Sequence, residues 1–244
     1  MRAGGKLQTA LRLIYPSRCL TCSTMVESDF GLCGPCWRDT PFIGGLVCDC
    51  CGTPLPGEDL GEVEICDDCM TIARPWARGR AALLYKDNGR KLVLALKHGD
   101  HHEIARPAAK WMVRAAAPLL KPNMLVAPVP LHWTRMLKRR FNQSALLAEQ
   151  VAREADLAYC PELLVRARRT KSLGGLSWEE RFAEVSETIK IHPKRAHRIA
   201  GRPVLIVDDV MTSGATLAAT VEACKAARAA EVSILTLARV AKDA

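Results

Sequence analysis

Residues 204–216 read VLIVDDVMTSGAT, and this stretch indicates the fold class. Val204–Val207 are four consecutive apolar residues that favour β structure, so they predict a buried strand. Asp208 and Asp209 follow directly. In an open α/β fold, ligands bind in the crevice outside the carboxyl ends of the strands. Two carboxylates placed there need hydroxyl groups or a metal ion as partners.

A short loop with hydroxyl side chains follows the acid pair, at Thr212, Ser213 and Thr216. Gly214 lies within this loop and begins a helix that we predict to extend to Ala227. The free backbone N–H groups and the dipole at such a helix start bind phosphate. Carboxylates that bind a diol, next to a phosphate cradle, describe a site for a ribose 5-phosphate.

Working outward from this stretch, strands and helices alternate along the chain. Predicted strands cover residues 80–85, 124–129, 204–207 and 232–238, and predicted helices cover residues 90–97, 104–120, 142–155 and 214–227. Alternation of this kind is typical of an α/β fold with a mostly parallel sheet flanked by helices.

Nine of the eleven cysteines fall within residues 19–69. Eight of them form four C-x-x-C pairs, a spacing that is typical of zinc ligands: Cys19 and Cys22, Cys33 and Cys36, Cys48 and Cys51, Cys66 and Cys69. Two pairs complete one tetrahedral site of four thiolates, so the four pairs predict two structural zinc ions. Sequential pairing is the simplest arrangement, while an interleaved pairing or a single remaining zinc are the alternatives.

Cys50 is a spare thiol in the run Cys48-Asp49-Cys50-Cys51. We favour Cys48 and Cys51 as the ligands, because Gly52 can then continue the turn with a positive φ. The short linkers between the cysteine pairs are too small to form a core, so the metal must supply folding energy. We therefore divide the chain into residues 1–75, an N-terminal helix with a double zinc ribbon, and residues 76–244.

The net charge of +9 is distributed unevenly. Residues 1–75 carry 6 Lys and Arg against 10 Asp and Glu, whereas residues 76–244 carry 29 against 16. The basic part favours phosphorylated partners. The longest uncharged run, residues 122–134, is shorter than the roughly 20 apolar residues of a membrane span, and no signal peptide is visible. These features predict a cytoplasmic protein without membrane insertion.

The segment from Val204 to Thr216 resembles the phosphoribosyl-pyrophosphate (PRPP) signature of type I phosphoribosyltransferases. Together with the cysteine region, three further segments resemble the ComF family of competence-associated proteins: residues 94–99 (LALKHG), 127–132 (APVPLH) and 138–144 (KRRFNQS). The resemblance implies PRPP and Mg²⁺ as ligands. The implied PRPP-binding residues are Asp208, Asp209, Val210, Met211, Thr212, Ser213, Gly214, Ala215 and Thr216.

The same resemblance implies where the pyrophosphate and a closing hood would lie. Val129 and Pro130 fall at the pyrophosphate loop, and residues 166–181 correspond to the hood. Basic candidates for an anionic ligand, since guanidinium groups match phosphate oxygens, are Lys97, Arg135, Arg139, Arg140, Arg166 and Arg169. The chain departs from the family at Leu173, where glutamine is usual, and at Glu184, where asparagine is usual.

Three classes of function agree with these observations. The first is an enzyme that transfers the phosphoribosyl group of PRPP to an acceptor and releases pyrophosphate. The second is a non-catalytic sensor of PRPP. The third is an adaptor for DNA uptake that handles single-stranded DNA or contacts a protein of the competence machinery. Leu173 and Glu184 bear on the choice between the first two.

Overall fold

Five parallel strands form the central sheet of the protein. The computed structural model describes residues 17–27, 31–98, 101–131, 141–167, 180 and 188–241. The strands in these ranges are β1 (Gly79–Leu84), β2 (Leu125–Pro128), β3 (Ala158–Tyr159), β4 (Leu164–Arg166), β5 (Ile189–Ile191), β6 (Pro203–Met211) and β7 (Glu231–Arg239). The sheet order is β1-β7-β6-β2-β3, and every neighbouring pair is parallel. This confirms the predicted parallel α/β sheet.

Helices cover both faces of the sheet. In the same ranges they are α1 (Gly34–Arg38), α2 (Asp67–Thr71), α3 (Asp87–His98), α4 (Ala105–Ala116), α5 (Gln143–Glu154) and α6 (Ala215–Ala226). Short 3-10 turns occupy His102–Ile104, Ala117–Leu119 and Pro193–Arg198. None of the helices described has both the length and the apolar character needed to cross a membrane.

Successive residues of β6 enter two different cores, because side chains alternate across a strand. Val204 and Ile206 pack into one core with α6 and the second group of cysteines. Leu205 and Val207 pack into the other core, with α3, α4 and α5. The four-residue apolar run is therefore explained by burial on both faces.

The structure differs from the predicted elements at two places. Strand β6 does not end at Val207 but continues to Met211, because β7 pairs with it over its whole length. The predicted helix over residues 104–120 is α4 with a 3-10 turn at each end, and Pro118, which has no N–H group, lies in the second turn. The short strands β3, β4 and β5 were not predicted.

The sheet has a topological switch point between β2 and β6. These two strands are neighbours, but the chain leaves β2 toward β3 and leaves β6 toward β7, on the opposite side. Strand β2 stops at Pro128, opposite Val207, so β6 extends four residues farther with a partner on one side only. A crevice opens at this point, which is where open α/β sheets bind ligands.

Candidate functional site

The acid pair lies in the crevice at the end of β6. Asp208 and Asp209 both line a cavity of about 160 Å³. Five of the residues that complete its wall come from four different parts of the chain: Lys97, Val129, Pro130, Ser144 and Arg166. The fold thus brings together the acid pair, the predicted pyrophosphate loop and two of the predicted basic residues.

Asp208 is held by the start of helix α5. The Ser144 hydroxyl donates a hydrogen bond of 2.7 Å to its carboxylate, and the backbone N–H of Asp209 donates another of 2.9 Å. Burial, with the adjacent negative charge of Asp209, raises the pKa of Asp208 to about 7. Bound hydroxyl groups or a cation would relieve this cost.

Asn142 ties helix α5 to the loop after β2. Its side-chain oxygen accepts from the Ser144 N–H as the N-cap of the helix, and its side-chain nitrogen donates to the Val129 carbonyl at 3.1 Å. One residue therefore fixes both the hydroxyl that contacts Asp208 and the backbone of the predicted pyrophosphate loop.

Lys97, in the last turn of α3, lies in the crevice beside Asp209. Its ammonium nitrogen is 3.2 Å from the Asp209 carboxylate, and both side chains are largely buried. This ion pair compensates one of the two negative charges of the acid pair.

The loop between β6 and α6 forms a cradle that adjoins the crevice. Gly214 caps α6 with a left-handed backbone, at a φ of 82°. A cavity of about 60 Å³ lies at this turn, and Asp208 and Thr216 line both this cavity and the larger one. Backbone N–H groups at such a helix start are suited to a phosphate, so the predicted cradle and the acid pair are contiguous.

The back of the cradle is held by residues outside the PRPP signature. Arg74 donates to the Ser213 carbonyl at 2.7 Å and lies over the Trp76 ring. Arg239, buried at the end of β7, donates to the Thr212 carbonyl at 2.7 Å. The carbonyls of Ser213 and Thr212 therefore have hydrogen-bond donors on the side of the loop that faces these arginines.

The eight cysteines of the C-x-x-C pairs form two clusters. The sulfur atoms of Cys19, Cys22, Cys33 and Cys36 lie within 4.8 Å of one another, as do those of Cys48, Cys51, Cys66 and Cys69. The structure thus adopts the sequential grouping. The Cys22–Cys33 and Cys51–Cys66 sulfur distances are 3.6 and 3.7 Å. Zinc–sulfur bonds of about 2.3 Å in a tetrahedron place the sulfurs roughly 3.8 Å apart, so both donor sets fit zinc.

The two clusters repeat one local design. In each, the backbone N–H of the third cysteine donates to the sulfur of the first at 3.3 Å, from Cys33 to Cys19 and from Cys66 to Cys48. The residue after the second cysteine has a positive φ in both, 61° at Ser23 and 72° at Gly52. Cys50 lies outside the second cluster.

The second cluster packs directly against the sheet domain. Cys48 and Cys51 are buried in the core that contains α6. Trp76 donates from its indole nitrogen to the Cys50 carbonyl at 2.6 Å, and Arg239 lies 3.8 Å from the Cys51 sulfur. The same Arg239 donates to the Thr212 carbonyl of the loop between β6 and α6, so a single buried guanidinium contacts both the second cysteine cluster and this loop.

Several predicted residues lie outside the described ranges. They are Arg135, Arg139, Arg140 and Arg169, together with Leu173, Glu184 and the predicted N-terminal helix. Arg166 is described: it ends β4, is buried and lines the crevice. Sequence reasoning did not select Ser144, Asn142, Arg74 or Arg239. Ser144 and Asn142 stood within a quoted motif, but nothing local distinguishes the two arginines.

Two family models match separate parts of the chain. A double zinc ribbon domain matches residues 10–70, and a phosphoribosyl transferase domain matches residues 142–244. DNA utilization protein YhgH of Escherichia coli K12 is 28% identical over 234 residues, which cover 93% of this chain and 99% of that protein. Competence protein F of Haemophilus influenzae is 25% identical over 206 residues, with coverages of 82% and 87%.

Among solved structures, the glutamine PRPP amidotransferase of B. subtilis aligns with 58% of this chain and 30% of its own, at 16% identity and a TM-score of 0.40. The parallel sheet, its crevice and the paired cysteine clusters define a phosphoribosyltransferase fold joined to a double zinc ribbon. The two domain matches, with the similarity to YhgH and Competence protein F over nearly their full length, support the ComF family for this chain.

Proposed function

We propose that this protein binds PRPP together with Mg²⁺ in the crevice at the end of β6. The observation that carries the proposal is the continuity of a buried acid pair with a helix-start cradle at the switch point of the sheet. A pentose phosphate needs both features, because its hydroxyl groups donate hydrogen bonds to carboxylates whereas its phosphate accepts hydrogen bonds from N–H groups.

Different residues of the crevice would bind the ribose, the 5-phosphate and the pyrophosphate of PRPP. Asp208 and Asp209 would accept hydrogen bonds from the ribose hydroxyl groups. The backbone N–H groups of residues 212–216, with the Thr212, Ser213 and Thr216 hydroxyls, would bind the 5-phosphate. Lys97, Arg166 and the loop at Val129 and Pro130 lie on the other wall, where the pyrophosphate would be placed.

Magnesium fits the donor set of this crevice. The carboxylate oxygens of the acid pair are hard ligands of the kind that Mg²⁺ prefers, and the ion normally binds through one or two carboxylates and the substrate phosphates. When bound, it would neutralise charge on the pyrophosphate. The raised pKa of Asp208 agrees with a carboxylate that is completed by a cation.

The reaction that this site would support is phosphoribosyl transfer. An acceptor nucleophile attacks C1 of the ribose while the bond from C1 to the pyrophosphate oxygen breaks, and both electrons of that bond leave with pyrophosphate. Residues of the crevice would contribute by positioning and by stabilising charge rather than by forming a covalent bond.

A non-catalytic sensor of PRPP is the second candidate. It is favoured by Leu173 and Glu184, which replace the amides that are usual in the family. In that case the crevice would bind PRPP without cleaving it, and the bound state would be communicated to a partner.

We further propose that both cysteine clusters hold structural zinc and that the protein acts in the cytoplasm during DNA uptake. Four thiolates leave no open coordination position for catalysis. The setting is supported by the names of the relatives, a DNA utilization protein and a competence protein. Single-stranded DNA and a protein of the competence machinery are the corresponding partners.

Calorimetric titration of the zinc-loaded protein with PRPP and Mg²⁺, together with an assay for pyrophosphate, tests the main proposal. Binding with release of pyrophosphate identifies a transferase, and binding without release identifies the sensor. Absence of binding at millimolar PRPP would overturn both.

A further inference from the structure

A larger cavity, of about 490 Å³, lies away from the crevice and shares no lining residue with it. One side of it is formed by Trp37, by the chain between the two cysteine clusters and by Asp59. The other side is formed by β1 and α4. We call it the aromatic pocket, because Trp37, Phe42 and Trp111 line it. Its volume is in the range of small-molecule sites, which are mostly apolar with a few polar groups.

Three aromatic rings from distant parts of the sequence converge here. The ring centroids of Trp37 and Phe42 are 4.5 Å apart, and Trp111 meets both rings edge-on, at 6.3 and 5.3 Å. Trp37 nevertheless remains 49% exposed. A large aromatic side chain that is held in place and still open to solvent is suited to contact a planar ligand.

Two of the three described charged residues that line the aromatic pocket are arginines, Arg80 and Arg114. Arg114 lines it, is exposed, and has no carboxylate partner among the described residues. It continues a row with Arg106 and Lys110, spaced by four residues on the exposed side of α4, a helix without acidic residues. Such a row can follow a phosphate backbone.

Two carboxylates lie near these arginines. Asp49 pairs with both Arg78 and Arg80, so that group keeps one net positive charge. Asp59 is the carboxylate in the described wall of the pocket, and its side chain accepts from the Gly61 N–H.

We infer that the aromatic pocket binds a nucleotide of single-stranded DNA. The base would contact Trp37 within the pocket, Arg114 would meet its phosphate, and Lys110 and Arg106 would follow the neighbouring phosphates. Aromatic side chains beside a basic track are the usual means of binding single strands, and stacking accepts any base. The choice of DNA rests on the proposed role in DNA uptake, whereas the site itself is independent of PRPP.

The test measures binding of a fluorescent 15-residue oligothymidylate to the full-length, zinc-loaded protein by anisotropy at several salt concentrations. We expect Trp37→Ala to weaken binding at least about five-fold, the lower bound for loss of one stacked base. Arg114→Gln should reduce the slope of log affinity against log salt by about 0.7, as expected for one lost phosphate contact. Arg153→Gln, which removes an exposed arginine from α5, is the matched control and should change neither quantity.

Two further measurements separate the alternatives. Zinc content shows whether Trp37→Ala leaves the ribbon intact, and Arg114→Gln tests the site without touching the ribbon. If thymidine monophosphate displaces the labelled oligonucleotide as effectively as unlabelled oligonucleotide does, the ligand is a free nucleotide and the proposal of a DNA strand is wrong. If both variants bind the oligonucleotide with wild-type affinity, the aromatic pocket is not the binding site. PRPP titration of the same variants reports on the crevice alone, so failure of that proposal is seen separately.

Discussion

Arg239 connects the second cysteine cluster to the loop between β6 and α6. One of its guanidinium nitrogens donates to the Thr212 carbonyl at 2.7 Å, and the other lies 3.8 Å from the Cys51 sulfur. The side chain is buried at the end of β7. The ribbon is therefore in contact, through one residue, with the loop proposed to bind the 5-phosphate.

We predict that Arg239→Lys weakens PRPP binding by at least roughly five-fold. Lysine keeps the charge but not the planar set of donors that reaches two partners at once, and loss of a buried hydrogen bond costs about 1–3 kcal/mol. Calorimetry with PRPP and Mg²⁺ measures the affinity, and a colorimetric assay measures zinc. Wild-type affinity in a variant with full zinc content would show that the cradle does not depend on Arg239.

The two cysteine clusters should differ in their effect on PRPP binding. Cys69→Ser removes a sulfur atom from the second cluster, whose cysteines pack with α6, and we expect a large loss of PRPP affinity. Cys36→Ser is the matched variant in the first cluster. That cluster reaches the sheet domain through Trp37 and through the bond from Asn88 to the Cys36 carbonyl, on the side of α3 and α4.

Titrations of both variants with PRPP, alongside circular dichroism, check this difference. The sheet signal should persist in Cys36→Ser with its affinity nearly unchanged. Equal losses in the two variants would mean that the ribbons act as one unit, and equal retention would mean that neither supports the cradle.

Replacing either acid with its amide should abolish most PRPP binding. In Asp208→Asn and Asp209→Asn, one hydrogen-bonded charge is lost, which corresponds to roughly 10- to 100-fold in affinity. The fold should remain, since the amide oxygen introduced by Asp208→Asn can still accept from the Ser144 hydroxyl. Calorimetric affinity and the melting temperature are measured together, and unchanged affinity in both variants would remove the acid pair from the site.

The sequence pointed to the acid pair, to the loop after it and to the four C-x-x-C pairs because each is carried by adjacent residues, although it left the grouping of the pairs open. A run such as Val204–Val207 followed by two acids has few alternative structures. Arg239 and Arg74 could not be predicted in this way. Their roles depend on contacts with residues 27 and 139 positions away, and a lone arginine at a strand end has no local pattern.

The extent of β6 shows the same limit. The acids suggested a strand end at Val207, because charged residues are unfavourable in a buried strand. The strand continues because β7 supplies backbone partners as far as Met211, while the side toward β2 stays open. The crevice forms because β7 pairs with β6 as far as Met211 whereas β2 stops opposite Val207. This difference depends on the order of the strands in the sheet and not on the local sequence.

Asp208 should make both stability and binding depend on pH. Its pKa is raised from the ordinary 3.8 to about 7, first by burial and then by Asp209. A raised carboxyl pKa contributes stability at low pH that is lost as the pH rises between these values. The unliganded protein should therefore lose stability from about pH 4 to 7, and Asp208→Asn should flatten this trend.

Binding of PRPP with Mg²⁺ should show the opposite trend, because the ion requires the charged carboxylate. We expect affinity to rise from about pH 6 to pH 8, on either side of the raised pKa of Asp208, with release of a proton that calorimetry in buffers of different ionisation enthalpy detects. An affinity that does not change over this range would show that Asp208 is already charged in the free protein.

Gly214→Ala offers the most selective test of the cradle. A left-handed backbone costs a residue with a Cβ about 1–2 kcal/mol. An added Cβ would also lie 2.8 Å from the Met211 side chain, 3.1 Å from Trp76 and 3.2 Å from Arg74. We therefore expect lower stability and a loss of PRPP affinity, since the left-handed backbone is strained and the Arg74 guanidinium nitrogen that donates to the Ser213 carbonyl must move away from the methyl group. Gly201→Ala is the control, because Gly201 has a φ of 69° and no atom near its added Cβ. It should lose similar backbone stability and keep wild-type affinity, so equal affinities in the two variants would show that the loop geometry at Gly214 does not determine phosphate binding.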